Sequence, residues 1–86
     1  MPEICRFYGI IIRMYFGDHN PPHFHAEYQG KQAEYSIRTL EVIAGGISKR
    51  ANALVLEWAS LHRTELINNW EKAKIPSEIA NIEPLK

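Results

Sequence analysis

The pair Gly45-Gly46 divides the chain into two stretches with opposite conformational preferences. Upstream, Ile4 to Phe16 is rich in β-branched and aromatic residues, and His23 to Arg38 alternates apolar with polar side chains, the patterns of strands. Downstream, Lys49 to Lys74 holds good helix formers without an internal proline or glycine. Strands first and a helix afterwards predict an α+β fold: a mainly antiparallel β-meander of three to four strands packed against one long C-terminal helix. A chain of 86 residues hides only roughly 60% of its unfolded surface, so one core is the ceiling. Residues 1–86 are read as one domain, with a β-rich part at 1–47, a helix at 48–75 and an arm at 76–86.

Within the β-rich part, Ile4 to Phe16 reads as one bent strand or two short ones, with Gly9 at the bend. Gly17 to Pro22 is a loop, because adjacent prolines lack amide donors and restrict the residues before them. The runs His23 to Tyr28 and Lys31 to Arg38 flank Gln29-Gly30, the signature of a two-residue hairpin. That turn dictates a register. Phe24 faces Tyr35 and Ala26 faces Ala33 on a core face, while His23 faces Ser36, His25 faces Glu34 and Glu27 faces Gln32 on a polar one. Glu41 to Ala44 is a candidate fourth strand. Ser48 caps the helix, and Leu54, Val55, Trp58, Leu61, Leu66 and Trp70 form its apolar stripe. For the arm, packing on its own domain and docking on a partner both stay open.

Composition excludes several classes. Apolar residues at 45% and charged residues at 23% match globular averages and argue against disorder. Ten basic and ten acidic residues give a net charge of zero, without the broad positive footprint of a histone-like protein. No apolar run, Ile10 to Ile12 included, approaches the roughly 20 residues that span a bilayer, so a cytoplasmic location and no membrane partner are expected. Cys5 is the single cysteine and reads as a small strand residue.

Three of the four histidines fall between Asp18 and Glu27. Residues two apart on a strand point to one side, so the imidazoles of His23 and His25 converge. Glu27 shares their face but lies about 13 Å from His23 along the strand at 3.3 Å per residue, too far to share one ion with both histidines. Three readings follow. The histidines decorate a solvated edge; they bind a divalent metal such as zinc, with His19 as the third ligand and Asp18 or Glu34 as alternatives; or His23 and His25 do metal-free acid/base work, with Glu34 beside them. Glu34 also suits the task of holding His25 in one tautomer.

Lys49 and Arg50 occupy the first helical turn, where positive charge opposes the macrodipole. With the amides after Gly45-Gly46 and Ser48 they would make a phosphate site, the alternative being two solvated cations. An enzyme using both features needs them adjacent. His62 falls beside the apolar stripe as a packed, hydrogen-bonded histidine with a reserve functional role; Glu57 and Arg63 read as solvated charges, and Trp58 and Trp70 as apolar anchors.

The blocks Met-Pro-Glu-Ile-Cys-Arg-Phe-Tyr-Gly-Ile-Ile-Ile-Arg-Met-Tyr-Phe, Asp-His-Asn-Pro-Pro-His-Phe-His-Ala-Glu-Tyr and Glu-Trp-Ala-Ser-Leu-His-Arg-Thr-Glu-Leu resemble the domain of unknown function 4160 family over nearly the whole chain. The resemblance implies a short bacterial protein encoded beside a member of the domain of unknown function 2442 family, in a pair that looks like a type II toxin-antitoxin module with this chain as the toxin. It implies no catalytic residues. The resulting expectation is a toxin-like protein acting on RNA or a translation component through His23, His25 and Glu34, with Lys49 and Arg50 holding phosphate. Its partner would be a small antitoxin-like protein, and homo-oligomerisation stays open. The rival readings are a non-enzymatic protein-binding module and a small metal-binding protein using His19, His23 and His25.

Overall fold

A computed structural model describes residues 3–15, 17, 20–73 and 79–86. Five strands form one antiparallel sheet in chain order: β1 (Glu3–Phe7), β2 (Ile10–Arg13), β3 (His23–Tyr28), β4 (Lys31–Ser36) and β5 (Val42–Gly45). The meander is as expected, but its strand number is five rather than three to four. The extra strand arises at Tyr8-Gly9, where both residues take positive φ, the geometry of a tight turn whose twist matches its flanking strands. The Ile4 to Phe16 run is therefore two strands. Gln29-Gly30 makes the same kind of turn, and the β3–β4 register agrees with the expected pairs throughout: Phe24 with Tyr35, Ala26 with Ala33, His25 with Glu34 and His23 with Ser36.

The apolar face of this sheet carries the core. Phe24 stacks on Tyr35 with ring centroids 5.2 Å apart, and Trp58 covers Phe24 at 6.0 Å and Phe7 at 5.5 Å. Burying aromatic side chains in such offset and tilted contacts supplies much of a small core's stabilisation. Tyr35 is fully buried, and its hydroxyl donates to Asn52 Oδ1 at 2.6 Å; burial pushes its pKa up to about 12. Burial likewise raises the thiol of Cys5, which is free and packed in the core, so it behaves as the small strand residue expected of it.

The long helix expected over 48–75 is two helices, α1 (Lys49–Leu61) and α2 (Arg63–Lys72), broken at His62. No proline or glycine marks the break. A straight helix from Lys49 to Lys74 would be about 39 Å long at 1.5 Å per residue, more than the 33 Å longest dimension of the molecule. Two contacts flank the break: Ser60 Oγ donates to the Glu57 carbonyl, a bond that competes with the helical ladder, and His62 Nδ1 lies 2.6 Å from Glu65 Oε1 in the first turn of α2. The change of direction buries Leu66 and Trp70 and leaves Leu61 67% exposed, so Leu61 drops out of the expected stripe. His62 packs on Trp58 at 5.5 Å.

The C-terminal arm docks on its own domain. Asn69, itself buried, donates from Nδ2 to the Ala80 carbonyl and accepts from the Ala80 amide. Trp58 Nε1 donates to the Glu83 carbonyl, and the Ile82 amide donates to the Ile4 carbonyl on β1. One edge of the sheet thus receives an added chain, while β5 forms the other.

Candidate functional site

β3 is the central strand, paired with β2 and β4, so side chains on it are held by hydrogen-bonded neighbours on both sides. Strand alternation sends Phe24 and Ala26 into the core and His23 and His25 to the opposite face. Glu34 stands directly across from His25. Next to Glu34 the β4–β5 register slips, with Glu34 opposite Ala44 and Tyr35 opposite Val42, so Ile43 is an extra residue. Such a bulge bends the strand and re-aims neighbouring side chains. Gly45 completes the corner: at φ +69° its position is so close to the Gln32 carbonyl that a Cβ would collide with it.

The three side chains meet. Glu34 Oε1 lies 3.4 Å from His23 Nε2 and 3.7 Å from His25 Nε2, and no two of the three potential ligand atoms are more than 4.8 Å apart. His23 Nδ1 is 2.7 Å from the Pro21 carbonyl. A carbonyl only accepts, so Nδ1 carries the proton and the lone pair of a neutral His23 sits on Nε2, facing the carboxylate. Trp70 packs against the His23 ring at 5.2 Å, and the Tyr15 and His25 rings meet edge to face at 4.4 Å.

These contacts correct the reading of a solvated edge. His23 is only 3% exposed, enclosed by Trp70 from a helix 47 positions further along. His25 and Glu34 are the members that reach a surface, lining a shallow cavity of about 250 Å³ with Gln32, Ala33, Ala44 and Gly45. His23 is not among the residues that line this cavity, and it meets the carboxylate of Glu34 from behind that lining. Glu27 is bound by Arg13 and takes no part, as its distance along the strand implies. His19 and Asp18 lie outside the described residues.

Lys49 and Arg50 stand elsewhere. Both are exposed at the start of α1, and Arg50 lines a groove with Tyr8, Tyr28, Ala51 and Leu54. Tyr28 is five residues from His23, about 16 Å along the strand, and its side chain belongs to the opposite face. No cavity lining among the described residues brings Lys49 or Arg50 together with the histidines. Two amides of the expected phosphate site are already engaged, Ala51 N–H by Ser48 Oγ and Gly46 N–H by the Gln32 carbonyl. Sequence reasoning missed Pro21, Tyr15 and Trp70 as the supports of the histidines, and no spacing in the chain signals them.

Fold and site together define a small five-stranded β-meander with two C-terminal helices, in which two imidazoles and a carboxylate gather on the sheet face opposite Phe24 and Ala26. The chain belongs to the family described as Domain of unknown function (DUF4160), whose model matches residues 9–71 and so includes His23, His25 and Glu34. No curated protein and no solved structure matches the chain. Among the described residues, no helix is long and apolar enough to cross a membrane.

Proposed function

We propose that this chain is the toxin-like member of a two-protein module and acts hydrolytically on RNA, with His23, His25 and Glu34 as its reaction centre. The observation that carries the reading is the convergence of the three side chains from two adjacent strands, two of which, His25 and Glu34, line a cavity. The sheet presents them on its rigid centre, where preorganisation lowers the cost of reaching the reacting geometry. Proton transfer from an attacking hydroxyl falls to this cluster as a unit, since among the described residues no other titratable side chain lines the cavity. The attacking oxygen would bond to phosphorus as the scissile P–O bond breaks and the leaving oxygen takes up a proton. The partner would be a small antitoxin-like protein of the domain of unknown function 2442 family, and the setting the cytoplasm.

The test is growth and RNA integrity in cells expressing the wild type, His25→Ala or Glu34→Gln at matched levels, each with and without the partner. The reading predicts growth arrest and RNA loss for the wild type alone, relieved by the partner, and a loss of on the order of 100-fold in activity for the variants. Equal toxicity of all three would refute it. A second reading, a docking module without catalysis, draws on β5: Val42 is 44% and Ile43 46% exposed, and an uncharged edge strand is a template for strand addition.

A further inference from the structure

The distances within the cluster carry a second step, which rests on the same site. A charge-assisted hydrogen bond between imidazolium and carboxylate would bring N and O to about 2.7–2.9 Å. Here one oxygen, Glu34 Oε1, stands 3.4 Å from His23 Nε2 and 3.7 Å from His25 Nε2. Both separations are long for such a bond, and one carboxylate oxygen faces both imidazoles. Ligands about 2.05 Å from a tetrahedral ion stand about 3.4 Å from each other, whereas those of an octahedral ion at the same bond length stand about 2.9 Å apart. The shorter separation equals the tetrahedral edge, the longer exceeds it, and both are wider than the octahedral edge.

The surroundings point the same way. With its proton on Nδ1, held by the Pro21 carbonyl at 2.7 Å, His23 aims a lone pair at an anionic oxygen, an arrangement that a cation between them turns from repulsive to attractive. A histidine whose far nitrogen donates to a backbone carbonyl is the usual support of a metal ligand, because it fixes tautomer and ring plane. Trp70 over His23 and Tyr15 against His25 lower the local dielectric and so strengthen ion–ligand attraction.

We infer that His23 Nε2, His25 Nε2 and Glu34 Oε1 are three ligands of a zinc-type divalent ion whose fourth position opens into the cavity beside His25 and Glu34. Two imidazoles, one carboxylate and an open position make a donor set suited to catalytic rather than structural zinc. With the ion bound, the three side chains would hold it rather than carry the proton themselves: the ion would acidify a bound water or hydroxyl, which gives up its proton to solvent and attacks phosphorus as the P–O bond breaks and the leaving oxygen takes a proton from solvent. The set takes Glu34 as its third ligand, while His19 lies outside the described residues.

The experiment is zinc content and zinc affinity of untagged protein, by mass spectrometry after dialysis and by competition with a chromophoric chelator. The wild type should hold about one equivalent. His25→Ala and Glu34→Gln, both altered at the accessible side of the site, should bind at least about 100-fold more weakly, a loss exceeding that from removing an outer-shell partner. Glu57→Gln, a change on an exposed helical carboxylate, should bind as the wild type does, and circular dichroism reports whether each variant is folded. Magnesium in the same assay should not displace zinc. Less than a tenth of an equivalent in the wild type, or equal affinity in the folded variants, would overturn the inference. RNA cleavage by zinc-stripped protein at the full rate would overturn it while leaving the hydrolytic function standing. Stoichiometric zinc without any RNA cleavage would support the site and remove that function.

Discussion

Raising the pH should make Tyr35 a liability that its replacement by phenylalanine removes. Tyr35 is fully buried, and burial lifts its pKa from 10.0 to about 12, while the unfolded chain ionises near the ordinary value. Between those values the native state holds a proton that the unfolded state has released, so stability falls as pH rises through this window. Two units at about 1.36 kcal/mol each set a ceiling of about 2.7 kcal/mol. At neutral pH the sign is reversed, because Tyr35→Phe loses the hydrogen bond to Asn52, a net cost of about 1 kcal/mol. The two stability curves should therefore cross at about pH 10.7, where the linkage term equals that cost. Urea unfolding followed by tryptophan fluorescence at intervals from pH 7 to 11.5, on both proteins, measures the difference directly and cancels every other titrating group. A difference that stays constant across the range would show that Tyr35 ionises alike in both states and refute the reasoning.

Two further predictions concern the helices. Asn69→Ala removes both hydrogen bonds that tie the arm at Ala80 to α2, and should lower stability by about 1 to 3 kcal/mol while making the arm more sensitive to limited proteolysis. Lys49→Glu replaces an exposed cation in a first turn that has no acidic residue, and should stabilise by about 0.5 to 1.5 kcal/mol in low salt, the gain shrinking as salt rises in denaturant titrations.

Local patterns made the sheet readable in the chain. Alternation about Gln29-Gly30 specifies which residues of β3 and β4 oppose one another, and a one-residue slip would have put Phe24 in water and His23 in the core. The pairing of His25 with Glu34 follows from that count. What the pattern could not carry was long-range. The burial of His23 depends on Trp70, which depends on the helix turning at His62, where neither proline nor glycine stands. That turn coincides with the side-chain contacts of Ser60 and His62, which no periodicity in the chain announces. Lys49 and Arg50 were legible as a helix start, but where that start lies is settled by packing, and no cavity lining among the described residues brings it together with the histidines. The strand at β5 is visible as Glu41 to Ala44, whereas the bulge at Ile43 beside Glu34 has no signature of its own.

The claim on which the account turns is that His23, His25 and Glu34 act as one centre, and the X-ray absorption spectrum of the zinc-loaded, untagged protein tests it most directly. The account predicts a four-coordinate ion with two imidazole nitrogens and carboxylate and water oxygens, all at about 2.0 to 2.2 Å, with the imidazole scattering halved in His25→Ala. A spectrum with sulfur from Cys5, with fewer than two imidazoles, or unchanged in His25→Ala would contradict it.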